Sequence, residues 1–396
     1  MTRLLQLVFM LTVFSGLSLP YLQQRFDLFR DYPLAGVEEK TVEPSLSISS
    51  WFDGSFQKQF DSWFSENVGL RTQMVRSENE LNFAVFGDIS SKSPSRLLVG
   101  KDNYLFERDY VLNAVHPAII PKQDIKAIAS RVIALGQELT KRKIALVVLI
   151  SPNKANLYPD KLPEKLANLS PDAGRNRRIF REQLESARIA VLEGNSFLEE
   201  LRKRTDIPVF PKSGTHWSYA ASCYVADEII RLIELQGTAK LRRLGCEKTE
   251  IENKPRAHDK DLAELMNLWN KQRFYEPLPY PKAYATVTED TERPPVVFVG
   301  SSFMWPILAY FDKHKTFETR EFLYYFKRRL SFPSRKEQPI DKQNFDWQKI
   351  VFNKKAIIIE ANEIGIGDFG WGFVEEAHHV LIASPSTTSS MVTPEN

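Results

Sequence analysis

Three short runs constrain this chain more than any other feature: Ile144 to Ile150 (IALVVLI), Pro295 to Gly300 (PVVFVG) and Lys355 to Glu360 (KAIIIE) are continuously apolar or β-branched. A strand with apolar side chains at successive positions must be covered on both faces, as in the centre of a parallel sheet. Arg96 to Gly100 and Ile189 to Leu192 add two further expected strands. Lys122 to Arg142, Ala173 to Ala187, Trp217 to Leu235 and Thr319 to Leu330 are expected to be helices. Strands alternating with helices predict an α/β fold, a mostly parallel sheet flanked by helices. A chain of 396 residues with 43% hydrophobic content can bury a core of that kind, and its length suits one large domain or two ordinary ones; a single large domain after the N-terminal segment is expected.

Residues 4 to 24, LLQLVFMLTVFSGLSLPYLQQ, carry no charge; they follow Arg3 and precede Arg25, Asp27, Arg30 and Asp31. The run exceeds the roughly 7 to 15 residues of a cleavable signal core and approaches the roughly 20 that cross a bilayer. No clear small-x-small site surrounds Gly16 to Leu19. The expectation is an N-terminal signal anchor over residues 1–24, with a cleaved signal peptide as the alternative. With Arg3 kept in the cytoplasm, the remainder lies outside it. Residues 25–50 are expected to be a linker, 51–383 the folded domain, and the Ser/Thr-rich residues 384–396 a disordered tail. Between Trp51 and Phe86, Phe52, Phe56, Phe60, Phe64, Leu70, Met74, Leu81 and Val85 recur at helical spacing. That spacing predicts two amphipathic helices whose stripe belongs to a core.

Charge excludes one class of function. The 53 basic and 50 acidic residues leave a net charge of only +3, and the basic clusters are short and scattered, so no nucleic-acid-binding face is expected. The two cysteines, Cys223 and Cys246, would pair in an oxidising compartment if the fold brings them together. No CxxC, HExxH or Cys/His ligand spacing appears, so no metal is implied.

The sharpest chemical signal is PPVVFVGSSFMWP, residues 294 to 306. Its apolar strand ends at Gly300, and Ser301 and Ser302 follow before a helix start. A serine on such a turn stands at the carboxyl end of a strand, where backbone N–H groups can form an oxyanion hole. The plainer reading is a turn with a capping serine. A serine nucleophile needs a base. Of the six histidines, His216 is the candidate, because FPKSGTHWSYAA places it at a loop-to-helix boundary. His116 precedes a proline, His258 and His314 sit in charged stretches, and His378 and His379 lie near the end. Trp217, next to His216, either stacks on a substrate ring or packs the helix. Lys154, Tyr158, Asn362 and Glu363 follow expected strand ends and are weaker candidates for lining a substrate-binding cleft, which would take sugar on the resemblance described next.

The order of these motifs resembles the circularly permuted SGNH-hydrolase-like domain of the alginate O-acetyltransferase family, its J-type and X-type proteins. THWS precedes a helix, and a later strand ends in GSSF. FDGSFQKQFDSWFSENVGLRTQMV, LLVGKDNYLFERDY, VVLISPNKANLYPDKLPE and DKDLAELMNL resemble further family segments in the same order. The resemblance implies an enzyme that moves an acetyl group from a membrane-bound O-acyltransferase partner to hydroxyls of an exported polysaccharide. The acetyl group would pass through Ser302, with His216 as base and with Gly300 and Ser301 shaping the oxyanion turn. No soluble cofactor is implied. The implied place is the periplasmic face of the inner membrane, or the periplasm if the signal is cleaved. An acetyl esterase of the same fold and a catalytically inactive polysaccharide-binding scaffold are the alternatives.

Two positions depart from the family pattern. Asp-x-His would place a carboxylate two residues before the histidine, and here that residue is Gly214; Ser301 stands where GDS would carry its Asp. Three outcomes follow for the orienting acid. Asp206, Glu360 or Glu363 replaces it, a carbonyl or hydroxyl completes a Ser-His dyad, or catalysis is lost.

Overall fold

The computed structural model describes residues 2–36, 41–89, 96–166 and 168–383. The tail expected to be disordered therefore lies outside the described residues. The chain packs as two compact units, Met1–Leu97 with Leu262–Arg273, and Leu98–Asp261 with Phe274–Asn396.

In the first unit, helix α1 (Thr2–Phe26) contains the apolar stretch Arg3–Phe26, of mean hydropathy 1.6, which is long and apolar enough to cross a membrane. Three helices follow: α2 (Ile48–Phe52), α3 (Ser55–Asn67) and α4 (Arg71–Phe86). The two helices expected between Trp51 and Phe86 are α3 and α4. Their stripe is not core. Phe52, Phe60, Phe64, Met74, Leu81 and Val85 are exposed, and the one residue α4 buries is Arg76. Helical periodicity decides which residues share a face, whereas burial also needs an element to cover that face.

The second unit is built on a seven-stranded sheet. In chain order its strands are β1 (Ala145–Ser151), β2 (Ala190–Glu193), β3 (Val296–Gly300), β4 (Arg320–Tyr324), β5 (Arg328–Phe332), β6 (Lys336–Pro339) and β7 (Ala356–Asn362). Their spatial order is β6-β5-β4-β3-β7-β1-β2. Strands β4, β3, β7, β1 and β2 run parallel; β5 and β6 extend the sheet as antiparallel strands. Leu97–Val99, the expected strand at 96–100, is a short strand outside this sheet.

Side-chain alternation sends Val147, Leu149, Phe298 and Ile358 into one core and Leu146, Val148, Val297 and Ile357 into the other. The longer helices of this unit, in chain order, are α5 (Arg108–Val115), α6 (Lys122–Lys141), α7 (Arg175–Ser186), α8 (Gly194–Arg204), α9 (Tyr219–Glu234), α10 (Met304–Lys313) and α11 (Phe373–Ala383). Helices α8, α9 and α10 cover the first face through Leu198, Ile229 and Ile307. Helices α6, α7 and α11 cover the second through Val132, Phe180 and Phe373. A disulfide joins Cys223 on α9 to Cys246, with Cα atoms 6.0 Å apart.

The helix expected over Thr319 to Leu330 is instead the β4–β5 hairpin. Phe322, Leu323, Phe326 and Leu330 satisfy helical spacing, but Phe322 enters one core and its neighbour Leu323 the other, as only a strand buried on both faces allows. Tyr325 and Phe326 then both take a φ of 50°, in the left-handed region that a right-handed helix excludes.

Candidate active site

Strands β1 and β7 end in register at Ser151 and Asn362, β3 ends beside β7 at Gly300, just past the Ile359–Val299 pair, and the candidate site is built on these carboxyl ends. Gly300 is small because the backbone is crowded: an added Cβ would lie 2.7 Å from Met304 Cγ and 2.9 Å from Glu360 Oε2. Ser301 turns inward. Its N–H donates to Glu360 Oε2 at 2.6 Å and its hydroxyl to Glu360 Oε1 at 3.1 Å, while the Ser151 hydroxyl donates to Oε1 at 2.5 Å. Burial pushes the Glu360 carboxyl up, and these hydrogen bonds act against it. Ser301 thus locks the turn, and with its N–H committed to Glu360 it is no oxyanion donor. The lock leaves Ser302 only half-buried at the start of α10.

Ser302 and His216 meet across the strand ends. His216 Nε2 lies 2.9 Å from Ser302 Oγ, and His216 Nδ1 lies 2.6 Å from Asp261 Oδ2. The carboxylate placed on Nδ1 is therefore that of Asp261. Of the three carboxylates expected in its place, Asp206 is exposed, Glu360 holds Ser151 and Ser301, and Glu363 accepts from the Asn153 N–H at 2.7 Å and the Asn156 amide at 2.9 Å. The carboxylate of Asp261 is itself aimed, since the Thr215 N–H donates to Oδ1 at 2.9 Å.

The empty position at Gly214 has a steric cause. An added Cβ there would lie 2.6 Å from the His258 carbonyl oxygen and 3.1 Å from the Asp259 carbonyl carbon. The backbone of the segment that delivers Asp261 occupies the space an aspartate would need. Ser213 donates its hydroxyl to the Asp259 carbonyl at 2.7 Å, tying the two segments together. The buried Asp259 side chain accepts from the Tyr280 hydroxyl at 2.7 Å and the Tyr219 N–H at 3.2 Å, and burial raises its carboxyl to about 7.

The four candidate sugar ligands serve the scaffold instead. Lys154 is 4% exposed, and its ammonium donates to the carbonyls of Leu105, Pro211, Lys212 and Gly214 at 2.8, 2.6, 3.0 and 2.8 Å. Burial pushes this amine down to about 7, while four carbonyls favour its charged form. Three of those carbonyls belong to the loop carrying His216. The buried Tyr158 accepts the Phe210 N–H at 3.4 Å, at the start of the same loop. Asn362 donates to the Pro152 carbonyl at 3.0 Å and Glu363 holds Asn153, so both fix the turn bearing Lys154. Burial removes all four from a substrate-facing surface. Trp217 is fully buried, and its indole N–H donates to the Phe303 carbonyl at 3.1 Å, joining the histidine and serine segments.

Several neighbours of the site were unplaced by sequence, or, like His258, set aside there. Tyr325, in the left-handed turn after β4, donates its N–H to the Gly300 carbonyl at 2.9 Å. The Ser302 hydroxyl and backbone N–H both act on its phenol, which burial pushes up. Glu107 lies among Thr215, Asp261 and His216, and burial raises its carboxyl. The His258 ring packs 5.4 Å from that of His216, and burial lowers its basicity. One signal for Asp261 was present, the family-like segment DKDLAELMNL, which carries carboxylates able to orient an imidazole. Tyr325 carried no such signal inside a segment read as helix.

The sequence model described as "SGNH hydrolase-like domain, acetyltransferase AlgX" matches residues 97–323, more than half of the chain. The chain belongs to this family. Among curated relatives of the AlgX-type domain, the probable alginate O-acetylase AlgJ of Pseudomonas aeruginosa is 27% identical over 259 residues, 63% of this chain and 60% of that protein. The match thus spans less than two thirds of that relative's length. Among solved structures, the O-acetyltransferase domain of Pseudomonas putida AlgJ superposes with a TM-score of 0.47 at 16% identity, over 72% of this chain and 99% of that one. Pseudomonas aeruginosa AlgX gives 0.43 at 12%, over 71% and 67%. The AlgX-type SGNH domain is the family whose resemblance the motif order carried.

Proposed function

We propose that this chain is an extracytoplasmic O-acetyltransferase that moves an acetyl group onto hydroxyls of an exported polysaccharide through an acetyl-Ser302 intermediate. The observation that carries the reading is the continuous contact from Asp261 through His216 to Ser302. His216 Nε2 takes the Ser302 Oγ proton as Oγ attacks the acyl carbonyl, and Asp261 stabilises the resulting imidazolium. The proton passes to the departing donor group as the acyl bond to Ser302 is completed. In the second half-reaction His216 removes the proton of a sugar hydroxyl, whose oxygen displaces Ser302, and returns that proton to Oγ. The N–H of Ser302, which acts on the Tyr325 phenol, becomes a donor for the oxyanion only if Tyr325 gives way to the acyl group. With an acid on His216 Nδ1, Gly214 no longer argues for an inert scaffold.

A membrane-bound O-acyltransferase is the acetyl donor in this reading, and α1 anchors the domain at the periplasmic face of the inner membrane. Comparing the acetate content of exported polymer in cells carrying wild-type protein and Ser302→Ala tests the proposal. Acetate falls in the variant if the chain transfers acetyl groups. A rise instead assigns the triad to an esterase, and no change combined with no adduct from a serine-directed sulfonyl fluoride removes the enzymatic reading.

A further inference from the structure

His258 takes no part in the acyl-transfer steps, yet it stands beside the base. Its ring faces that of His216 at an interplanar angle of 78°. His216, His258 and Asp261 each present one ligand atom, and the three atoms lie within 4.8 Å of one another. Two imidazoles and one carboxylate with a position left open are a zinc donor set. Ligand atoms around a tetrahedral zinc ion stand about 3.3 Å apart, given metal–ligand bonds of about 2.0 Å. Reaching that spacing requires the 2.6 Å contact between His216 Nδ1 and Asp261 Oδ2 to open while atoms up to 4.8 Å apart close, rotations that the partly exposed His258 and Asp261 can make.

We propose that His216, His258 and Asp261 form an inhibitory site for a divalent transition ion of zinc type. Neighbouring contacts restrict where two of the ligands can move. Thr215 holds Asp261 Oδ1 so that Oδ2 points to His216, and Asp259, gripped by Tyr280 and by the Tyr219 N–H, fixes the backbone next to His258. Such outer contacts aim ligands at a metal. Calcium and magnesium prefer oxygen donors and are excluded by the two imidazoles.

The consequence for the reaction follows from the two faces of one ring. His216 turns Nδ1 to Asp261 and Nε2 to Ser302. An ion bridging Asp261 and His216 binds the Nδ1 lone pair, so the ring proton moves from Nδ1 to Nε2. An Nε2 that carries a proton cannot accept one from Ser302. Zinc therefore disables the nucleophile without touching it. This inhibition rests on the catalytic reading of the triad; the metal site itself does not.

The test uses the full chain in detergent and two readouts, the rate at which a sulfonyl fluoride labels Ser302 and the visible absorption of added cobalt(II). Zinc chloride should suppress labelling and EDTA should restore it, with magnesium inert. His258→Gln should label at the wild-type rate without zinc and need about 10- to 100-fold more zinc for the same suppression. Labelling that zinc leaves unchanged, or that zinc suppresses equally in His258→Gln, overturns the proposal. If Ser302 of the wild type fails to label even without zinc, the catalytic reading fails and cobalt decides the site. A tetrahedral cobalt band that is lost in His258→Gln sustains it, and absence of that band in the wild type overturns it.

Discussion

Gly214 and Asp261 act as a pair: the absence of a side chain at the first lets the backbone of residues 258–259 approach, and that approach brings the second to His216 Nδ1. Asp261→Asn should lower turnover of a model acetyl ester steeply, toward the roughly 10⁴-fold seen when the serine protease template loses its acid. Writing the family's aspartate back as Gly214→Asp should not rescue Asp261→Asn, because its Cβ would meet the His258 carbonyl at 2.6 Å. Turnover in the double variant is the check; recovery to wild-type rates would show that the acid belongs at 214 after all. Asp259 makes a separate prediction. Its carboxyl, raised to about 7 by burial, holds a proton more tightly folded than unfolded. Stability from this group is therefore complete below its unfolded pKa of about 4 and is lost as pH rises through about 7. Asp259→Asn should flatten that fall, as seen in urea midpoints on the two sides of the window; an unchanged slope would exclude Asp259 as its source.

Among the elements, strands buried on both faces were the most legible. The runs at 144–150, 295–300 and 355–360 became β1, β3 and β7 because continuous apolar character has one solution between two helical layers. The hairpin at 320–332 was not legible, since helical spacing and strand burial use the same apolar residues and no glycine or asparagine marks the left-handed turn at Tyr325 and Phe326. The acid was hidden for a related reason: a carboxylate 45 residues from its histidine leaves no spacing pattern. The Cys223–Cys246 bridge closes a separation of 23 residues, from the first half of α9 to the segment beyond that helix. Chain-entropy reasoning assigns such a loop about 3 kcal/mol. Reduction should lower the denaturation midpoint accordingly, while a Cys223→Ser, Cys246→Ser variant should be insensitive to reductant; equal midpoints for oxidised and reduced wild type would remove the bridge from the stability account.

At the scale of the whole molecule, a bilayer-length helix precedes the α/β unit in the chain. If α1 anchors the chain, the protein should stay with membranes after an alkaline carbonate wash, and removal of residues 1–26 should release it. Full-length protein recovered in the wash supernatant would contradict an anchor. The exposed aromatic face of α3 and α4 shows why the first unit was read less well than the second: sequence marks an amphipathic face but not what lies against it. The central claim concerns the second unit alone, that Asp261, His216 and Ser302 act as one acyl-transfer device. Intact-protein mass spectrometry after a brief pulse of an activated acetyl ester tests it most directly. The account predicts a single acetyl adduct on Ser302, absent in Ser302→Ala and formed far more slowly in Asp261→Asn; an adduct that persists in Ser302→Ala, or that forms at the wild-type rate in Asp261→Asn, would contradict it.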